Sequence, residues 1–193
     1  LNYAEAMAER SDVRITQEDI DISINPIRQR AGMPDMELEW CNANPDNNYM
    51  GSAKYGFRNV KGENKGVILE IRRERMVELA QEGDFRWYDL MRWKEGKCIE
   101  QDILGQYFPG PGEYDFDGDG VVDICLYEGE NAPSTDAGLV YKIGTNPIVL
   151  TGGNKGNVDP YRTQKHQFDE KRDYLKPLPT GELAMNNNLT QNP

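Results

Sequence analysis

Apolar residues recur at helical spacing in two stretches near the start of the chain: Leu1, Ala4 and Ala8, then Ile20, Ile24 and Ile27. A polar "SD" separates the stretches, and Thr16 with Asp19 three residues later is a variant of a capping box. Pro26 has no N–H to donate, so we expect it to kink or restart the second helix. The glycine and proline of "GMP" end that helix. Residues 1–34 are therefore predicted to form a helical hairpin.

The strongest helical pattern runs from Val67 to Gly83, in "VILEIRRERMVELAQEG". Its apolar stripe contains Leu69, Met76, Leu79 and Ala80, and Gly83 is the expected stop. The following "DFRWYDLMRW" is apolar on nearly all sides, which predicts a helix in the interior of the fold. Together the two segments predict a helix pair over residues 67–94.

Two arginines interrupt the apolar stripe of the first helix of that pair. Arg72 and Arg73 lie three and four residues after Leu69, where apolar residues are expected. A buried arginine needs a carboxylate partner, and Glu82 and Asp89 are nearby. We therefore predict a buried or half-buried arginine–carboxylate network. The alternative is that the arginine stems lie along the core while their charged ends reach water.

The remaining segments predict less regular structure. Residues 41–66 are rich in Asn, Gly, Asp and Pro and indicate a long loop. Residues 98–171 contain short β-like runs, "VDICLY", "GLVYKI" and "PIVLTGG", between turns, and the tail over 172–193 has a short helix near Thr180. The predicted fold is mainly α. It consists of tetratricopeptide-like helical hairpins with a long irregular, partly β-strand insertion.

An acidic loop lies within the predicted insertion, in "YDFDGDGVVDICLY". Its spacing predicts that four carboxylates converge on a single cation, those of Asp115, Asp117, Asp119 and Asp123. The main-chain carbonyl of Val121 is expected to face the same cation. Oxygen-only ligation favours calcium over magnesium. Leu126 stands where an EF-hand loop has a bidentate glutamate, and a strand pattern follows, so we expect a structural calcium and not a sensor. A solvated turn without metal is the alternative.

Composition excludes several classes of function. A net charge of -11 disfavours a nucleic-acid partner, because phosphate binding needs clustered Lys and Arg. The three cysteines, Cys41, Cys98 and Cys125, lack the spacing of a zinc site. Because three is an odd count, at most one disulfide forms within the chain, and free packed thiols are expected. The one histidine, His166, lies in a polar stretch and favours no catalytic triad. We predict that the chain is not an enzyme.

Three motifs, in order along the chain, carry a family resemblance: "INPIRQRAGMP", "EIRRERMVELAQEGDFRWYDLMRW" and "YLKPLPTGELAMNNNLTQNP". They resemble the C-terminal part of SusD/RagB family proteins. The resemblance implies an outer-membrane lipoprotein of Bacteroidetes, built on tetratricopeptide helices, that captures nutrients above a SusC-like TonB-dependent transporter. Leu1 is not the lipid-bearing cysteine of that family, so residues 1–193 are expected to be the C-terminal portion of such a protein.

The expected ligand is an oligosaccharide, and a peptide is the alternative. Sugars are commonly held by aromatic faces, and the local candidates are Trp40, Tyr49, Tyr55 and Tyr114. Two other functions stay open: a helical-repeat scaffold that binds proteins, and a glycosidase. A glycosidase needs two carboxyl groups facing each other across a cleft, and no segment predicts such a pair.

Overall fold

The computed structural model of the protein describes residues 1–54 and 56–192. These residues form two compact units, one of Leu1–Gln101 with Gln167–Pro193 and one of Asp102–His166. Helices account for 31% of the chain and strands for 10%, which agrees with a mainly α fold that has a minor β component. The tetratricopeptide arrangement of the helices stays a prediction.

The first unit contains the helices. Their bounds are α1 Asn2–Glu9, α2 Gln17–Ser23, α3 Asn25–Arg30, α4 Leu38–Ala43, α5 Lys65–Glu78, α6 Phe85–Arg92 and α7 Thr180–Met185, with a 3-10 turn over Gly96–Glu100. Helix α5 is central, because both α1 and α4 pack against it. The short helix predicted near Thr180 is confirmed as α7.

The predicted start of the second helix is confirmed. The Thr16 side chain accepts a hydrogen bond from the amide of Asp19, and the Asp19 carboxylate accepts one from the amide of Thr16 at 2.9 Å, which completes a capping box. Pro26 lies in the first turn of α3, where its missing N–H costs nothing. The proline therefore restarts the helix, as expected, and splits the segment into α2 and α3.

Two predicted boundaries are wrong. Helix α5 spans Lys65–Glu78 and ends five residues before Gly83. Gln81 and Gly83 have φ values of +65° and +63°, and left-handed residues cannot continue an α-helix. Helix α4, Leu38–Ala43, also extends into the segment that was predicted to be loop from residue 41.

The predicted interior position of the aromatic helix is also wrong. In α6, Phe85, Trp87 and Tyr88 are 48%, 42% and 53% exposed. Only Asp89 and Leu90 of the helix are buried, because α6 packs on the unit by one face. An apolar pattern on all sides of a helix does not determine how many of its faces pack against other elements.

Two apolar clusters hold the first unit together. One joins α1, α2, α4 and α5 through residues that are at most 4% exposed: Ala4, Ala8, Ile20, Ile24, Cys41, Val67 and Ile71. The other packs Leu69 of α5 and Leu90 of α6 against Phe57 and Trp93. Phe57 meets Trp93 edge to face with ring centroids 5.3 Å apart. The long loop is therefore pinned to the core by Phe57.

The second unit contains the strands. Their bounds are β1 Tyr107–Phe108, β2 Gly112–Tyr114, β3 Ile124–Tyr127, β4 Leu139–Lys142 and β5 Gly156–Asn157. β1 pairs antiparallel with β5, while β3 pairs antiparallel with β2 and parallel with β4. The strands predicted in "VDICLY" and "GLVYKI" are confirmed, but "PIVLTGG" forms only isolated bridges. A small apolar cluster that includes Phe108, Leu126 and Leu150 lies beneath them.

Candidate functional site

The acidic loop connects β2 to β3. Tyr114 and Ile124 are paired across the two strands, so Asp115 and Asp123 leave the sheet side by side. Carboxylate oxygens of Asp115, Asp117 and Asp123 lie within 4.8 Å of one another. The hairpin register thus brings three of the four predicted carboxylates together.

Main-chain amides hold these carboxylates in place. Asp115 accepts hydrogen bonds from the amides of Gly118 and Gly120 at 2.7 and 2.9 Å, and Asp123 accepts one from Phe116 at 2.7 Å. These hydrogen bonds lower the pKa of Asp115; the amide of Gly120 has the largest effect, and the amide of Gly118 the next largest. Both glycines have left-handed φ, +76° and +87°, which other residues adopt only with strain. The loop geometry is therefore specified locally by its own sequence.

Asp119 lies differently from what the motif predicts, while the position of the Val121 carbonyl stays a prediction. Asp119 is not among the three carboxylates that converge. Its Oδ1 accepts a hydrogen bond from the amide of Val121 at 2.7 Å, and Val121 is 59% exposed. Three clustered carboxylates offer the oxygen ligands that hard cations prefer.

A second candidate site is a cavity beside α4. Its volume is about 350 Å³, at the lower end of the range of ligand pockets, roughly 300–1,000 Å³. The wall combines aromatic, sulfur and charged groups: Arg28, Asp35, Glu37, Trp40, Cys41 and Glu70. Trp40 is 61% exposed. The structure thus places one sequence-predicted ligand residue at the edge of a cavity, and we call this feature the Trp40 cavity.

The segment that forms one wall of the Trp40 cavity is fixed by side chains from α2 and α3. Asn25 Oδ1 accepts a hydrogen bond from the amide of Met36 at 2.7 Å, and Gln17 donates to the Met36 carbonyl at 2.9 Å. Arg28 Nε donates to the carbonyl of Pro34 at 2.6 Å. An exposed turn with this many side-chain anchors keeps one shape, so the cavity exists before any ligand arrives.

Burial affects the acid and the thiol in this wall. It raises the pKa of Glu70, although Arg73 acts in the opposite direction. It also raises the pKa of the Cys41 thiol to about 11, and the negative charge of Glu70 adds to that effect. Cys41 is therefore a packed, unreactive thiol, and all three cysteines are free.

The other predicted aromatic residues have different surroundings. Tyr49 is 60% exposed in the first unit. Tyr114 belongs to the second unit, where its hydroxyl donates to the carbonyl of Gly110 and its ring meets Phe108 edge to face. Tyr114 therefore supports the strand core. Tyr55 lies outside the described residues.

The predicted arginine–carboxylate network exists with partly different members. Arg72 contacts Glu9 at 2.9 Å and stacks over the Trp93 ring at 4.2 Å. Arg73, with a side chain 39% exposed, contacts Asp46 at 2.5 Å. Glu82 is exposed on the turn after α5. Of the two predicted arginines, Arg72 is buried and Arg73 is half-exposed.

Sequence reasoning missed the centre of that network. Arg75 binds Asp89 through two hydrogen bonds, and Glu5 of α1 accepts from both Arg92 and the indole N–H of Trp93. Arg75 lies three residues after Arg72, on the same side of α5, and that spacing was the available signal. Glu5 lies beside the apolar stripe of α1, where a carboxylate needs a buried cation.

The chain matches a family model. The model described as SusD family covers residues 1–193, the whole chain. The chain belongs to the SusD family. No curated protein and no solved structure matches it.

Membership in the SusD family supports a nutrient- or glycan-binding role associated with the outer membrane. The arginine network lies on helices that carry the family motifs, Arg72 and Arg75 on α5 and Asp89 on α6. The acidic loop lies in the stretch where no motif was recognised. Within residues 1–54 and 56–192, every helix is too short or too polar to cross a bilayer.

Proposed function

We propose that this SusD family chain is the glycan-binding component of a TonB-dependent uptake system at the outer-membrane surface. It is non-catalytic and lipid-anchored, and it passes its ligand to a SusC-like transporter. Family membership supports the class of function. The observation that carries the proposal on this chain is the preformed Trp40 cavity, in which an exposed indole stands beside fixed polar groups.

The physical basis is the way sugars bind to proteins in water. A sugar ring presents an apolar face of C–H groups and a rim of hydroxyls. The Trp40 indole offers a flat apolar surface, while the carboxylates of Glu37 and Asp35 offer hydrogen bonds to the rim. The arginine network contributes stiffness to the first unit, because its ion pairs cross from α5 to α1 and α6.

Binding is tested by a glycan array followed by calorimetric titration of the best ligand. We expect Trp40→Ala to weaken binding about fivefold or more, since a stacked aromatic ring contributes on the order of 1 kcal/mol. Trp87→Ala is the matched control, because Trp87 is also exposed but lies on α6 and does not line the cavity. Equal losses in the two variants would contradict a role for the cavity.

Hydrolysis of the bound ligand is measured in parallel. We expect no sustained product release, as befits a binding protein. Turnover that disappears when a single Asp or Glu is replaced would support the glycosidase alternative. Binding of peptides and of no glycan would support the peptide-uptake alternative.

We further propose that the helices form tetratricopeptide-like hairpins and that the protein contacts its transporter as a lid. The contacts of α1 with α2 and of α1 and α4 with α5 support a hairpin arrangement. Co-purification of the protein with an outer-membrane transporter tests the partnership. Isolation of the protein without a membrane partner under mild detergent conditions would count against it.

We propose a structural calcium ion in the β2–β3 loop. Support comes from the three convergent carboxylates, the left-handed glycines and the absence of a nearby cationic side chain within the described loop, residues 115–123. Three clustered negative charges repel one another unless a cation lies among them. Calorimetric titration of metal-free protein should show calcium binding, and no heat at millimolar calcium would exclude the site.

A further inference from the structure

The wall of the Trp40 cavity has an excess of negative charge. Its described residues include the carboxylates of Asp35, Glu37 and Glu70 and one guanidinium, that of Arg28. That guanidinium is already paired: Arg28 contacts Glu74, and the two side chains are only 14% and 12% exposed. The positive charge of Arg28 is therefore neutralised by a carboxylate behind the wall.

Glu70 shares its nearest cation with another acid. Its Oε2 lies 3.2 Å from Nε of Arg73, and Nη2 of the same arginine contacts Asp46 at 2.5 Å. One guanidinium thus serves two carboxylates, and Glu70 is half-buried. A further cation in the cavity would stabilise the ionised form of Glu70.

The aromatic part of the wall attracts the same kind of group. The face of a tryptophan ring carries negative potential and binds ammonium groups within about 6 Å of its centre. Trp40 is the most exposed of the chain's three tryptophans and stands at a cavity that also holds carboxylates. An indole beside acidic side chains selects a cationic ligand over a neutral one and repels an anionic one.

We infer that the Trp40 cavity binds the protonated amino group of an amino sugar, so that the ligand is a cationic saccharide. This inference rests on the proposed function and names its substrate class. The sugar ring lies against Trp40 while its ammonium group is held by Glu70 and Glu37. N-acetylation removes the charge, and a carboxylated or sulfated sugar is repelled by the wall.

Calorimetric titration compares a fully deacetylated glucosamine oligosaccharide with its N-acetylated counterpart of equal length. We expect the deacetylated sugar to bind at least about fivefold more tightly, as expected for one ammonium group held by a ring and carboxylates. Glu37→Gln and Glu70→Gln should each remove that preference. Glu39→Gln is the matched control, because Glu39 lies exposed on α4 and does not line the cavity.

The possible results separate this inference from the proposed function. Equal affinity for the two sugars overturns the amino-sugar assignment and leaves glycan binding standing. Binding of a trilysine peptide without binding of the sugar overturns the saccharide assignment, and no binding of any glycan overturns both. Glu37 is exposed, so its variant is expected to fold and reports on the preference even if Glu70→Gln is destabilised.

Discussion

Arg75 of α5 and Asp89 of α6 form a bidentate ion pair, with Nε to Oδ2 at 3.0 Å and Nη2 to Oδ1 at 2.9 Å. The two side chains are 5% and 9% exposed. Arg75 also donates to Asn2 and lies 3.4 Å from Glu5, both on α1. One guanidinium therefore connects three helices, and removal of it leaves two buried carboxylates short of a partner.

Arg75→Ala should consequently destabilise the fold by about 3–5 kcal/mol, the cost of breaking a buried ion pair from one side. Urea unfolding measures the loss. Arg30→Ala is the control, because Arg30 pairs with Glu78 while 70% exposed, and such pairs contribute about 0–1 kcal/mol. If Arg75→Ala unfolds within about 0.5 kcal/mol of the control, the network does not hold the helices together.

Sequence reasoning located this network on the correct helices but with some of the wrong residues, and the reason lies in tertiary packing. A single apolar stripe through Leu69 places Arg72 and Arg73 together. In the fold, α1 and α4 both pack on α5, so the buried arc is wide and includes Arg72 and Arg75. Periodicity states that a helix has a buried side, and the width of that side is decided by its neighbours.

Local chemistry was predicted better than long-range assembly. The capping box at Thr16, the restart at Pro26 and the aspartate loop are set by residues close together in sequence, and each is visible in the chain. The Trp40 cavity is different. Its charged wall draws Arg28, Glu37 and Glu70 from three segments, and no spacing rule brings them together.

Close packing of α4 on α5 provides the next prediction. A Cβ atom at Gly66 would lie 1.8 Å from the carbonyl oxygen of Cys41. Gly66→Ala should therefore force the helices apart and cost about 1–3 kcal/mol or more. Gly181→Ala is the matched control on α7, since nothing lies within 4 Å of its Cβ position. Thermal unfolding should show a clear loss for the first variant and little change, or a small gain, for the second.

The ionisation of Glu5 should make the free energy of unfolding depend on pH. Burial alone would raise its pKa, but hydrogen bonds from Arg92 and Trp93 outweigh burial and lower the pKa below its ordinary value of 4.5. A lowered pKa stabilises the fold above the unfolded-state value, and that contribution is lost as the pH falls through the folded-state value. The stability difference between wild type and Glu5→Gln should therefore be large near neutral pH and shrink below about pH 4.

Urea unfolding at several pH values measures that difference. Glu63→Gln is the control, because Glu63 is exposed and its replacement should cost little at any pH. A difference between wild type and Glu5→Gln that stays constant down to about pH 3 would show that the charge of Glu5 does not stabilise the fold.

In the acidic loop, the sequence motif and the observed geometry lead to different expectations for Asp117 and Asp119. The motif treats Asp117 and Asp119 alike, but the structure groups Asp117 with Asp115 and Asp123 and leaves Asp119 bonded to the amide of Val121. If that grouping forms the proposed calcium site, Asp117→Asn should reduce calcium affinity at least about tenfold, and Asp119→Asn by no more than about threefold. Calorimetric titration of each metal-free variant measures the affinity, with Asp84→Asn as a control, because Asp84 is exposed and lies in the first unit. Calcium should also protect the unit Asp102–His166 from proteolysis, because its core is small and the ion would fix the β2–β3 connection. Equal losses for Asp117→Asn and Asp119→Asn would show that all the motif positions bind the ion. In that case the loop rearranges around calcium from the geometry described above.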